Sequence, residues 1–381
     1  VNPSDAILKT FVKSEKLNLN LKPDPVPRVI QPRDPRYNVE VGRFLKPLEH
    51  KLYDAIDELF DAPTVFSSYN AFTQARLIKE KWDSFASPVC VGLDASRFDQ
   101  HVSKQALQFE HRLYDLVFHN ARLRKLLGWQ LANRGVARAS DGWFRYAKIG
   151  GRASGDMNTS MGNKLLMCLM SKSYIDSQPF RIEFVNNGDD CLMILETKDL
   201  NKLGGLSSWF RDFGFKLTLE EPVFEFEQVE FCQTKPVCAN GSWRMVRNVR
   251  TALSKDVTVV NLGHRHDQYR SRLYDIGMCG LATCADIPVM GEFYRMLVRL
   301  GVPGAYSKWD YEQFDYYYVS SRNAKCAHDR PDDFGRYSFW LSTGILPDAQ
   351  VAIESYFSES VWGADNRQII ESLLISELLT Q

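Results

Sequence analysis

Apolar residues return at helical spacing through residues 41–59, where Phe44, Leu45, Leu48, Leu52, Ile56 and Leu59 form one stripe, so the pattern predicts an amphipathic helix. A second helix is predicted from Ser103 to Phe118, with Leu107, His111, Tyr114 and Phe118 along one side. Residues 88–93 read as a short buried strand that ends in Asp94. Two further apolar runs, residues 180–186 and 191–195, flank Asn187-Gly188-Asp189-Asp190. Asn-Gly between β-formers is a strong hairpin signal because both residues tolerate positive φ, so two strands are predicted with two adjacent carboxylates at their tip. Residues 150–163 read as a glycine-rich loop entering a helix near Gly155, continued by the apolar run 165–170. From Thr251 the pattern is largely helical, and Ile370, Leu373, Leu374, Glu377 and Leu378 mark a last amphipathic helix whose plain role is packing.

The polar residues between these elements carry the chemistry. Adjacent carboxylates repel unless a cation lies between them, and hard oxygen donors with an open shell suit Mg²⁺ or Mn²⁺. A surface turn rich in Asn, Gly and Asp explains residues 187–190 equally well when they are taken alone. Asp94 changes the balance, with Asp99 five residues later, because carboxylates from separate strands can clamp two ions roughly 3.5–4 Å apart for phosphoryl transfer. In a helix that starts near Gly155, Thr159 and Asn163 share a face and can address one ligand. The plainer reading is a core helix capped by Ser154.

Three motifs in this order and spacing resemble motifs A, B and C of viral RNA-dependent RNA polymerases: Asp94 with Asp99, Ser154-Gly155-x-x-x-Thr159-x-x-x-Asn163, and Gly188-Asp189-Asp190. Pro25-Val26-Pro27-Arg28-Val29-Ile30-Gln31-Pro32-Arg33, the 150–163 segment and Phe231-Cys232-Gln233 are similar to replicases of plus-strand plant viruses of the tombusvirus and carmovirus type. The similarity runs over residues 21–249, and the remainder fits a thumb by position. The resemblance implies an α+β right-hand polymerase with an antiparallel palm sheet backed by helices and a mostly helical thumb. Fingers would span 1–88 and 119–152, palm 89–118 and 153–250, and thumb 251–381.

The same resemblance implies roles. Asp94 and Asp189 would ligate Mg²⁺, with Mn²⁺ an acceptable substitute, and Asp190 would complete the site. Asp99 and Asn163 would bond the 2′-hydroxyl of a ribonucleoside triphosphate, supported by Thr159, while Ser154 and Gly155 adjust the loop against template and ribose. Arg28, with Lys22 and Arg33, corresponds to the basic motif that holds the triphosphate, and Arg152 is a further candidate for triphosphate or RNA contact. Lys216 sits where the family places a general acid for the leaving pyrophosphate. Phe231 to Lys235 resembles a hairpin that grips the nascent strand. The implied partners are template RNA, nascent strand, ribonucleoside triphosphates, other viral replication proteins and host factors. The implied setting is host cytoplasm at membrane-associated replication complexes. The chain begins at Val1 and is expected to be a piece of a longer replicase whose anchor and fingertip segments lie upstream.

Composition adds less. Lys plus Arg and Asp plus Glu balance at 47 each in 381 residues, so total charge does not announce nucleic acid. Distribution does: residues 122–152 hold eight basic side chains against Asp141 alone, and residues 235–272 hold eight against Asp256 and Asp267. Trp129, Trp143, Phe144, Tyr146 and Trp243 interleave with them, which suits an RNA groove, although a solvated face explains the charges alone. Eight scattered cysteines, several inside apolar runs, fit a reducing cytosolic setting. His264, His266, Cys279 and Cys284 have zinc-ligand chemistry at a loose spacing. No run of 18 uncharged apolar residues is present, so no membrane span is predicted. The expected reaction is template-directed RNA synthesis. A reverse transcriptase is the nearest alternative and a non-catalytic RNA-binding scaffold the next.

Overall fold

The computed structural model describes residues 1–15, 26–258, 266–303 and 325–361, with the side chains of 266–268 omitted. The chain divides into two compact units, the first comprising Val1–Ser67 and Phe85–Pro222, the second Ser68–Ser84 and Val223–Gln381. That division falls at 222/223, so the hairpin expected to end the palm clusters with the mostly helical second unit.

The first unit is built on two four-stranded sheets. In one, β3 (Pro88–Ala95), β6 (Ile182–Asn187), β7 (Asp190–Glu196) and β8 (Leu217–Leu219) lie in the order β6-β7-β3-β8, every pairing antiparallel. Side chains alternate across a strand, and Val89, Val91, Leu93, Phe184, Cys191, Met193 and Leu195 face one way into the core. They share that core with Met161, Leu165 and Met167 of α6 (Thr159–Asp176) and with Tyr37, Val41 and Leu45 of α1 (Pro35–Leu59). The predicted helix over 41–59 therefore starts six residues earlier, because Asp34 caps it by accepting from the Arg36 amide at 3.1 Å and Pro35 is preset for a first turn.

The second sheet has the order β2-β1-β4-β5, from β1 (Leu8–Val12), β2 (Val29–Ile30), β4 (Ala132–Ala139) and β5 (Gly142–Ile149). Between the sheets in sequence lie α3 (Phe98–His101), α4 (Lys104–Phe118) and α5 (Ala121–Gly128), and α7 (Leu206–Asp212) precedes β8. Ser103 caps α4 as its sequence suggests, accepting from the Ala106 amide at 3.1 Å.

In the second unit, β9 (Thr234–Ala239) and β10 (Ser242–Arg247) form a hairpin packed with α2 (Ala71–Asp83) and α11 (Asp333–Thr343), beside α8 (Val249–Lys255), α9 (His266–Cys284), α10 (Met290–Leu300) and α12 (Pro347–Glu359). Its own core gathers Val237, Val246, Phe293, Leu297, Phe339 and Phe357. The hairpin expected at 231–235 starts at Thr234 and turns at Asn240-Gly241, both at positive φ of 50 and 72. The Asn-Gly turn with two positive φ values thus occurs here. The helical expectation after Thr251 holds for the described residues, and the helix expected over 370–378 lies outside them. His264 also lies outside them, and among the described residues no group of His, Cys, Asp and Glu forms a metal cluster. No helix among the described residues is long and apolar enough to cross a membrane.

Candidate active site

The carboxylates meet at one end of the first sheet. Asp94 is exposed between buried Leu93 and Ala95, and the strand register sets it opposite Asp190 on β7 and Thr218 on β8. β6 ends at Asn187 and β7 starts at Asp190, so the loop is Gly188-Asp189. This corrects the expected turn: among its residues Gly188 alone takes positive φ, at 90, which is how a II′ loop places glycine first. The cause is Asn186, fully buried, whose amide donates to the Gly188 carbonyl at 2.8 Å while its oxygen accepts from the Gly188 N–H at 3.1 Å. Its backbone is held by Thr64 and Phe66 at 2.8 and 2.9 Å. A rigid buried amide therefore fixes the tip on which exposed Asp189 and Asp190 stand.

Asp99 reaches the same region by a sharp turn after β3, where Arg97 is left-handed at φ 50 and Phe98 is buried against Phe215 with ring centroids 4.6 Å apart. Its carboxylate accepts from Asn163 Nδ2 at 2.7 Å. The Asn163 oxygen accepts from Arg152 Nε at 3.0 Å, and Arg152 forms a fully buried bidentate ion pair with Glu110, one arm at 3.2 Å. Glu110 also accepts from Tyr114 at 2.8 Å and Asn158 at 2.7 Å, and Asn158 accepts from Gln130 at 3.0 Å. The buried Glu110, Arg152, Asn158 and Asn163 leave no buried side-chain polar atom without a partner, which low dielectric demands. Burial pushes the Asp99 carboxyl above the ordinary carboxylate range; the Asn163 hydrogen bond and Arg152 oppose the rise, and nearby Asp189 adds to it. Burial pushes Glu110 up as well, but Arg152 more than offsets it and holds the carboxyl below its usual value.

The loop before α6 is tied down along its length. Gly150 donates to Leu131 at 3.0 Å, Gly151 to Val102 at 2.7 Å and Arg152 to Asp99 at 2.8 Å through their backbone amides. Ser154 Oγ accepts from the Gln31 amide at 3.1 Å, Asn38 donates to the Gly155 carbonyl at 3.1 Å, and a Cβ on Gly155 would stand 2.5 Å from Pro32 Cα. The helix accordingly begins at Thr159 rather than near Gly155. Thr159 donates its hydroxyl to the Ala153 carbonyl at 2.7 Å, so it braces the loop, whereas Asn163 faces Asp99. Ser154 is exposed and caps no helix.

Two expected contacts are corrected. Arg33 is buried and spends its guanidinium on Asp156, the Ala6 carbonyl at 2.5 Å and Asn133 at 2.6 Å. Arg152 is likewise buried on Glu110 and Asn163. Neither guanidinium can meet a triphosphate or RNA without breaking a buried ion pair. Arg28 is two-thirds exposed and pairs with Glu15. Lys22 lies outside the described residues. Lys216 is exposed, and its carbonyl accepts from the Ser96 amide at 3.0 Å, one step along from the Ala95–Leu217 pair.

Sequence reasoning missed Glu110, Asn158 and Asn186. Glu110 had a signal: it lies between Leu107 and Tyr114 on the apolar stripe of α4, where a carboxylate survives only if paired. As a metal site the donors are all oxygen. Among the described residues no three side chains close a shell by themselves. Two carboxylates opposed in register fit Mg²⁺, which is commonly held by one or two carboxylates and completes its shell from water and phosphate.

A family model described as viral RNA-dependent RNA polymerase matches residues 1–362. The RNA-directed RNA polymerase of Pothos latent virus (isolate Pigeonpea/India) is 45% identical over 351 residues, covering 92% of this chain and 46% of that protein. That of tobacco necrosis virus (strain D) is 43% identical over 388 aligned residues, covering 97% and 52%. That of turnip crinkle virus is 42% identical over 375 residues, covering 97% and 47%. The chain spans about half the length of the curated relatives it matches.

Proposed function

The chain belongs to the viral RNA-dependent RNA polymerase family, and from that premise we propose that it holds the nucleotidyl-transfer centre of a plus-strand RNA virus replicase. The observation that carries the reading is the register pair Asp94–Asp190 beside the Gly188-Asp189 tip, with the Asp99–Asn163 pair facing the same end. Mg²⁺, or Mn²⁺ in its place, would neutralise the phosphates and the attacking 3′-oxygen, held by Asp94, Asp189 and Asp190. Asn163 commits its amide to one Asp99 oxygen, which leaves the second Asp99 oxygen to accept from a ribose 2′-hydroxyl. The Glu110–Arg152 pair fixes Asn163 from behind, so the acceptor is oriented before substrate arrives. Arg28 would release Glu15 to hold the triphosphate, and Lys216, beside β3, would donate a proton to the leaving pyrophosphate. The two four-stranded sheets would belong to fingers and palm, and helices of the second unit to the thumb. Replication partners and a membrane-associated cytoplasmic setting are proposed for the longer replicase.

The test is metal-dependent incorporation of UTP against dUTP on a poly(A) template with an oligonucleotide primer. Asp94→Asn is expected to lose at least about a hundredfold in rate, the size of a lost charge-stabilising group at a reaction centre. Incorporation by Asp94→Asn at the wild-type rate would sink the proposal, and equal use of dUTP would redirect it to a reverse transcriptase.

A further inference from the structure

The sheet β2-β1-β4-β5 buries one face along β1 and the first half of β4, while β5 is exposed apart from the half-buried Tyr146. Leu8, Thr10, Asn133 and Gly135 turn inward, and Tyr146 crosses over Gly135 to meet Thr10 at 2.6 Å and Gln31 at 2.9 Å. That inner face is continuous with the Arg33–Asn133–Asp156 cluster that straps the loop before α6. By the alternation of strand side chains and the register Val136↔Arg145 and Arg138↔Trp143, the outer face carries Arg134, Arg138, Trp143, Arg145 and Ile149, with Phe11 on β1 beyond them. Trp143 is 64% exposed, Ile149 75% and Phe11 47%. Arg145 lies over the Trp143 ring at 5.4 Å.

What sets this face apart is the clustering of its arginines, since Arg145, opposite Val136, falls between Arg134 and Arg138. Elsewhere in this unit Arg28, Arg33, Arg36, Arg43, Arg122, Arg124, Arg152 and Arg181 are each ion-paired with a carboxylate, and the other described arginines without such a partner, Arg97, Arg112 and Arg211, stand singly at α3, α4 and α7. Arg134, Arg138 and Arg145 have no carboxylate partner among the described residues, although the chain as a whole is neutral. Three unneutralised guanidinium groups with an exposed indole between them combine phosphate attraction with a stacking surface, the pairing by which single strands are held without sequence preference. We propose that this outer face binds single-stranded RNA at a second surface, separated from the reaction centre by the sheet itself. The inference deepens the polymerase reading and names RNA as the occupant on charge complementarity.

The full chain is titrated with a single-stranded RNA of about 16 nucleotides, within the range one such module covers, at several salt concentrations. For Arg134→Gln/Arg138→Gln/Arg145→Gln, the slope of log affinity against log salt is expected to fall by about 2, at roughly 0.7 per lost phosphate contact. Trp143→Ala is expected to weaken binding about tenfold at unchanged slope, the lower range of one lost base stack. Arg134→Lys/Arg138→Lys/Arg145→Lys restores the slope, and all variants keep the wild-type melting temperature because the side chains are exposed. An unchanged affinity and slope in the glutamine triple variant overturns the proposal. Asp94→Asn, run beside them, separates the two readings: wild-type incorporation by Asp94→Asn would defeat the polymerase reading alone, while the salt slopes decide the surface.

Discussion

Asp94 and Asp190 oppose each other across paired strands, an arrangement that costs stability, since like charges directly opposite repel. A fold selected for stability alone has no use for it. Asp94→Asn should therefore raise the melting stability of the metal-free protein, by up to about 1 kcal/mol, while abolishing incorporation, and added Mg²⁺ should stabilise wild type more than the variant in a thermal shift. Asp99 gives a second signature. Its carboxyl is raised by burial, so the folded state holds the proton more tightly than the unfolded one. Its contribution is complete below the ordinary aspartate value of about 3.9 and is lost as pH rises through the elevated folded value. Asp99→Asn should flatten that stretch of the melting-temperature profile. Asn163→Ala should cut the preference for ribo- over deoxynucleotide about 10- to 100-fold, the worth of one hydrogen bond to a charged group, and a preference unchanged in steady-state competition would remove Asn163 from substrate selection.

Helix α6 shows what propensity misses. Gly162 lies inside it, where alanine normally gains about 1 kcal/mol, yet a Cβ there would stand 2.5 Å from both the Arg152 guanidinium and a Glu110 oxygen. Gly162→Ala should destabilise the protein instead, and chemical denaturation showing a gain would mean the buried pair is not held where the structure has it. The pair also sets an acid limit. Glu110 is held below its ordinary value, so its contribution is full above the unfolded glutamate pKa and is lost as pH falls through the lower folded value. Glu110→Gln should lose that acid-side slope in pH-dependent denaturation and cost about 3–5 kcal/mol, the price of one partner removed from a buried ion pair. That Asp94 and Asp190 would come together was legible because their elements announce themselves locally: an apolar strand ending in an acid, and two apolar runs around Asn-Gly-Asp-Asp. Arg33 and Arg152 were not, because a guanidinium in a Gly- and Pro-rich stretch looks the same whether it faces phosphate or a carboxylate brought in from 42 or 123 residues away. The turn shifted by one residue for a similar reason, since the buried Asn186 amide that decides it depends on Thr64 and Phe66 for its place.

On the scale of the whole molecule, the family was readable from three short motifs, and the model match over residues 1–362 bears the resemblance out. The division at 222/223 was not readable, because residues 68–84 join the second unit across more than 130 residues of chain, and nothing in their composition signals that excursion. Each unit has its own core, and the second is braced by Arg244, buried over the Phe72 ring at 4.7 Å and paired with Asp286 at 2.5 and 3.1 Å. Arg244→Ala leaves the Asp286 charge buried without that partner, a loss of about 3–5 kcal/mol for a broken buried pair. If the two cores are separate cooperative units, calorimetry should resolve two transitions with only one displaced by Arg244→Ala, and the pH signature of Asp99 should persist in the other. A single transition that moves as a whole would instead show that the cores melt together. Damage in the second unit would then reach the carboxylates of the first through stability alone, so loss of incorporation by a variant there could be read as catalytic only after its melting temperature had been restored.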